Sequence, residues 1–199
     1  GDVYKRQLFG QFKKFKILCA GSTHNSEEIL ITKLHIELKK YLPNLLTVII
    51  PRHINRSENI INDLDRFKLN VVKHSTKQKI SKNTDIYLVD TFGETKNFYN
   101  LSNIAFLGGS IVKHGGQNPL EAARLGNYII NGPNIGNFTE IYSYLKINKI
   151  SYTTSKILKM RDIVLSKINK KLPFNKRKKI FDNGNKILDN NIRIIEKYI

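Results

Sequence analysis

Between residues 15 and 130 short apolar runs are repeatedly interrupted by polar turns and followed by helical patterns. FKILCA at 15–20, LLTVII at 45–50, DIYLV at 85–89, IAFL at 104–107 and NYII at 127–130 are continuous rather than alternating in their apolar character. Such runs suit strands that are covered on both faces, and strands separated by helices call for a parallel sheet. The predicted fold class is therefore α/β, a doubly wound parallel sheet of Rossmann-like type, and its ligand belongs beyond the carboxyl ends of the strands.

The most informative stretch runs from Ile104 to Gly126, IAFLGGSIVKHGGQNPLEAARLG. Ile104 to Leu107 reads as a buried strand ended by Gly108 and Gly109, and Gly115 and Gly116 open a second turn. Asn118, Pro119 and Glu121 then fall at N-cap, first-turn and N3 positions of a helix. Backbone N–H groups beside loops without side chains form an anion site, for which a phosphate is the natural occupant. The same spacing also fits an ordinary capping box and ordinary tight turns.

In chain order, the first strand is followed by a helix with its stripe at Ile29, Leu30, Leu34, Leu38 and Leu42. Asn25 or Ser26 caps that helix, and Glu27 and Glu28 complement its dipole. The second strand delivers Pro51, Arg52 and His53. A helix over roughly Glu58 to Phe67, a short strand at Asn70 to Lys73 and a surface loop lead to the strand at Asp85 to Val89. Thr91 and Glu94 then stand at capping-box spacing. After the central stretch come the strand at Asn127 to Ile130, a helix over Phe138 to Leu145 and a last strand at Ile150 to Thr153. The remainder, Lys156 to Ile199, is helical in pattern and broken at Pro173.

Composition narrows the function classes. A single cysteine, Cys19, sits in an apolar run as a packing residue and excludes a disulfide framework. No run of about twenty apolar residues is present. The net charge of +18 would ordinarily raise nucleic acid or an anionic membrane as partner. Lysine, isoleucine and asparagine are abundant together, however, as an AT-rich genome imposes, and the densest basic cluster, Lys171 with Lys176 to Lys179, lacks aromatic interleaving. Nucleic acid is not the expected partner. No His, Cys or carboxylate spacing suits a metal, so neither a catalytic metal nor another cofactor is expected. Residues 1–7, GDVYKRQ, lack periodicity. Read back into codons they match a transposon adaptor of sequencing libraries, which implies a natural chain that continues upstream of Leu8.

Four blocks, AGSTHNSEE at 20–28, PRHINR at 51–56, VDTFGE at 89–94 and AFLGGSIVKHGGQNPLEAA at 105–123, resemble in that order the C-terminal half of the bacterial Kdo transferases. The resemblance implies a two-domain GT-B glycosyltransferase of lipopolysaccharide core synthesis at the cytoplasmic face of the inner membrane. Residues 8–199 would be its CMP-Kdo donor domain; a missing N-terminal half would hold the lipid A precursor and the glutamate general base. The donor-binding set so implied is Ser22, Thr23, His24, Arg52, His53, Gly93, Glu94, Gly108, Gly109, Ser110, Lys113, His114, Gly115, Gly116, Asn118 and Glu121. Arg52 would pair with the donor phosphate or the Kdo carboxylate, and Ser22, Thr23 and His24 would hold the carboxylate. Lys113 and His114 would neutralise the leaving group, Glu121 would accept from ribose hydroxyls, and the glycines, Ser110 and Asn118 would bring backbone donors to the nucleotide. Gln117, Ala122 and Ser26 depart from the usual histidine, proline and glycine. The alternatives are a UDP-sugar domain of the same type and a non-enzymatic basic binding module. An anionic membrane surface is the further expected partner.

Overall fold

The computed structural model describes residues 2–181, with side chains from Arg6 onward. Seven strands form one sheet: β1 Lys16–Thr23, β2 Leu45–Pro51, β3 Val71–Lys73, β4 Ile86–Leu88, β5 Ile104–Leu107, β6 Tyr128–Asn131 and β7 Ser151–Thr153. Their order is β3-β4-β2-β1-β5-β6-β7 and every pairing is parallel. The helices are α1 Asp2–Phe12, α2 Glu27–Lys39, α3 Ser57–Asp65, α4 Thr95–Leu101, α5 Leu120–Arg124, α6 Thr139–Ile147 and α7 Ile157–Lys167, and the chain is helical again over 174–181.

The continuous apolar runs are strands for the expected reason: β2, β5 and β6 are buried at every position and β1 at all but Lys16 and Ser22. Helices cover both faces of the sheet, so these central strands do not alternate toward water, whereas the edge strands β3 and β7 are only partly buried. The chain winds from β1 through β2 to the β3–β4 edge, then returns through α4 to place β5 on the other side of β1. That reversal is the topological switch point, and it opens a crevice beyond the carboxyl ends of β1 and β5.

Three local expectations are corrected. The absence of periodicity in 1–7 left α1 unforeseen, yet this helix buries Leu8 and Phe12, and Phe12 stacks edge-on against Tyr87 and Phe98. Ser26 stands at the N-cap of α2 with φ of 73° and makes no side-chain cap. It holds a left-handed conformation that glycine reaches without steric cost, which accounts for the glycine common at this place in the family it resembles. Thr91 and Glu94 form no capping box: Glu94 itself is the N-cap of α4, its carboxylate accepts from Asn97 at 2.6 Å, and the Thr91 hydroxyl is buried without a partner among the described residues.

The buried face of α2 also differs from the expected stripe, since it carries Glu27, Glu28, Thr32 and His35 beside Ile31, Leu34 and Leu38. His35 belongs to the core, its Nδ1 lying 2.9 Å from the Thr47 hydroxyl and its Nε2 3.5 Å from Asp85. Beyond Pro173, Ile180 is buried while Phe174 and Phe181 are exposed. Ile187, Leu188, Ile192 and Ile195 of the expected final helix lie outside the described residues.

Candidate functional site

The crevice is built from glycine contacts that bring the β1 and β5 loops together. Gly108 N–H donates to the Gly21 carbonyl at 2.9 Å, and a Cβ on Gly108 would stand 2.2 Å from the Ser22 oxygen. The Arg52 N–H donates to the Thr23 carbonyl at 2.9 Å, which seats the β2 loop beside the β1 loop. Strand ends that are separate in sequence therefore deliver their side chains to one rim.

At the centre of that rim is a residue that the sequence reading gave only to the helix dipole. Glu27 is fully buried, and its two oxygens accept from four backbone N–H groups: His24 at 2.9 Å and Gly109 at 2.8 Å on Oε2, Ser110 at 3.1 Å and Ile111 at 2.9 Å on Oε1. The glycine loop does form an anion-binding nest. Its occupant is the chain's own carboxylate, so the N–H groups of Gly109 and Ser110 are committed internally, and that of Gly108 to β1. Glu28 is the second such residue: it takes the Thr23 hydroxyl at 2.9 Å and a two-pronged contact from Arg56 at 3.0 and 3.3 Å.

The loop is clamped from its other side by the turn after β6. Asn134 N–H donates to the Ser110 carbonyl and its side chain to that of Ile111, while Asn137 holds the carbonyls of Gly115 and His114. Gly132 N–H donates to the Ser110 hydroxyl at 2.8 Å, and Gly116 N–H to the Gly109 carbonyl at 2.8 Å. Ser110 is thus fully buried, its hydroxyl spent between Leu107 and Gly132. Of the expected contacts, Thr23 and Ser110 face the protein and hold the loops in place.

What the clamped loops present outward is a cationic and imidazole surface. Lys113 and His114 are exposed at the loop tip, Arg52 and His53 at the end of β2. The Arg52 guanidinium has no hydrogen-bond or ion-pair partner among the described residues. His24 packs against His114, ring centroids 4.2 Å apart, and against His53 at 6.2 Å. Burial first, and the His114 ring next, push the His24 imidazole below its ordinary value, against the opposing influence of Glu27.

One groove adjoins this cluster and another lies along α5. Arg52, His53, Ile54, Asn55 and the exposed Phe92 line the first. Glu121 lines the other with Lys96, Asn118, Arg124 and Phe181, and its carboxylate lies 3.6 Å from Lys96 Nζ. Asn118 Oδ1 accepts from Leu120 N–H at 3.0 Å, but the N-cap of α5 is Pro119, one residue later than expected, so Glu121 falls at N2 rather than N3. Arg52 and Glu121 therefore sit in separate grooves. Gly93 stands at φ of 80° with open space around it, next to Glu94 at the start of α4.

Glu27, Glu28, Arg56, Asn134 and Asn137 were missed as site residues. The adjacent acidic pair was the one available signal, since two carboxylates exceed what a single helix start needs.

No family model matches the chain. It is 41% identical over 129 residues to the 3-deoxy-D-manno-octulosonic acid transferase of Haemophilus influenzae, a match that covers 65% of this chain and 30% of that protein. Identity to the enzyme of the same name from Rickettsia prowazekii is 37% over 126 residues, covering 63% of this chain and 27% of that one. The chain thus spans less than a third of the length of these curated relatives. In three dimensions it superposes on the C-terminal CMP-Kdo binding domain of WaaA from Acinetobacter baumannii with a TM-score of 0.77 and 25% identity, over 90% of this chain and 95% of that one.

Fold and switch-point site define a Rossmann-like domain of the kind that forms the C-terminal half of GT-B glycosyltransferases. By sequence and by fold alike, the chain is similar to the C-terminal region of the Kdo transferases.

Proposed function

We propose that this chain is the donor-binding half of a Kdo transferase, which holds CMP-Kdo at the switch point while a preceding half presents a lipid A precursor. The observation that carries the reading is the likeness, over nine-tenths of the chain, to a domain described as CMP-Kdo binding. In the transfer an acceptor hydroxyl attacks the anomeric carbon as the bond to the phosphate oxygen breaks. The electron pair leaves with CMP, and the hydroxyl proton passes to a base of the other half. The pocket has to stabilise charge that develops on the departing phosphate.

Unpaired Arg52 is suited to that task, since its planar fork matches a phosphate or a carboxylate bidentately. Lys113 and His114, exposed at the loop tip, would neutralise the leaving group. Glu121, half-exposed beside Lys96, would accept from the ribose hydroxyls. Ser22, His24, His53, Gly93, Glu94, Gly115, Gly116 and Asn118 would complete the donor surface around them.

Calorimetric titration with CMP, UMP and UDP tests the assignment. CMP is expected to bind best; Arg52→Ala should weaken it by roughly 2 kcal/mol, about thirtyfold, through loss of a charge-assisted pair. Glu121→Gln should weaken it a few-fold and leave helix stability nearly unchanged. Tighter binding of UDP than of CMP, or parental CMP affinity in both variants, would exclude a Kdo donor.

The same reading places the protein at the anionic cytoplasmic face of the inner membrane. Among the described residues no helix is long and apolar enough to cross a membrane. With a net charge of +18, surface attraction should supply on the order of 1 kcal/mol for each Lys or Arg near the leaflet. Sedimentation with anionic vesicles should succeed at low salt and fail at high salt. Equal binding to neutral vesicles would count against this location.

A further inference from the structure

Three loops of independent sequence origin each contribute one histidine to a single cluster. His24 follows β1, His53 follows β2 and His114 stands in the loop after β5, with the His24 ring between the other two. Packing does not require this, since His53 and His114 are exposed. Nor do these side chains converge on a metal: no group of three or more His, Cys, Asp or Glu among the described residues is placed to hold one.

Hydrogen bonding decides which nitrogen of His24 is available. Its Nδ1 lies 3.1 Å from the Ser22 carbonyl oxygen, an acceptor only, so the proton of the neutral ring belongs on Nδ1. Nε2 is left as a bare acceptor, buried and without a partner among the described residues. Among the described residues, the one carboxylate close to this ring, Glu27, lies on its Nδ1 side. Glu27, 3.9 Å from Nδ1, is spent on four backbone N–H groups, and Glu28 on Arg56 and Thr23. The adjoining side chains in the β2 and β5 loops, Arg52 and Lys113, are cations. Away from Glu27, the charged side chains beside the His53 and His114 rings are thus cationic, and an anion from outside the protein would meet no like charge there.

We propose that His24, His53 and His114 form the phosphate-contacting end of the pocket and bind a phosphomonoester together with a proton, an inference that rests on the donor-binding reading above. A dianion beside the rings favours the imidazolium form, and a proton on His24 Nε2 turns that atom from an acceptor into a donor toward phosphate oxygen. The sign follows from linkage: the complex holds more protons than its separated partners, so affinity rises as pH falls. The effect fades below about pH 6, where a phosphomonoester itself gains a proton. The cluster should accordingly hold the doubly charged CMP more tightly than a singly charged phosphodiester. It would then interact most strongly with the phosphate as the sugar departs.

Calorimetry of CMP binding in buffers of different ionisation heat counts the protons exchanged, and NMR titration of the imidazoles with CMP or with inorganic phosphate reads the sites directly. The expected results are uptake near one proton per CMP at pH 7.5 and affinity about tenfold lower at pH 8 than at pH 7. Joint replacement His53→Asn and His114→Asn, both exposed, should leave the fold intact and reduce the uptake to less than half. Binding without proton exchange, or unchanged uptake in the double variant, would overturn the proposal. Should inorganic phosphate raise the imidazole titrations while CMP fails to bind, the nucleotide reading falls and the imidazole site stands. Should neither anion move them, the imidazole site falls.

Discussion

Glu27→Gln is expected to cost about 3–6 kcal/mol of folding stability, most of the margin of an ordinary domain. The parental carboxylate offers two acceptor oxygens to four N–H groups, two on each oxygen. An amide keeps one of those oxygens and turns a donor toward the other pair, so two charge-assisted bonds of roughly 1.5–3 kcal/mol each are lost. Each pair includes one fully buried N–H, Gly109 on Oε2 and Ser110 on Oε1, whose loss of a partner is the costlier. Chemical denaturation of the parent and the variant measures this, with Glu58→Gln as the control, since Glu58 is mostly exposed. A loss below about 1 kcal/mol would mean that the nest does not depend on the carboxylate's charge.

Gly108→Ala should be comparably damaging for a steric reason. The added Cβ would lie 2.2 Å from the Ser22 oxygen and 2.6 Å from the Thr23 Cα, and both are backbone atoms of a central strand. A flexible side chain could swing away from such a contact. Here β1 is paired on both sides, so relief requires β1 and β5 to part at the switch point. Overpacking ordinarily costs about 1–3 kcal/mol, and a clash between strands belongs at or above the top of that range. Gly136→Ala, with nothing within 4 Å, serves as the matched control and should stay within about 0.5 kcal/mol of the parent in thermal unfolding. Equal stability of the two variants would show that the crevice walls are free to separate.

Both predictions concern residues whose importance was only partly legible beforehand. The glycines were singled out from their pattern, and Gly108 does mark a close approach of backbones. Their purpose was assigned to a ligand, because a glycine loop before a helix reads as a phosphate cradle. The cradle exists, but its filling comes from Glu27, 82 residues away in sequence from Gly109. Periodicity and spacing describe what lies within one element of the chain. They carry no information on which distant side chain enters a loop.

The strands were legible to within a few residues, because strands covered on both faces must be apolar throughout, and β5 at Ile104–Leu107 coincides with its expected limits. The parallel sheet and the location of the site at its carboxyl edge followed from the alternation of strand and helix, a local property of the chain. Helix caps were less legible: Ser26 and Thr91 have capping chemistry, but Ser26 is left-handed and makes no side-chain cap, and α4 starts from Glu94 rather than from Thr91. By itself the sequence determined the strands, the helices between them, their parallel arrangement, and Arg52, Lys113 and His114 as candidates in the loops that follow the strands. Only the tertiary structure decided that Glu27 fills the nest, that Thr23 and Ser110 turn inward, and that three histidines from three loops meet. The division has one physical cause: burial writes a periodic signature along the chain, whereas hydrogen-bond pairing between loops depends on how strand ends are brought side by side.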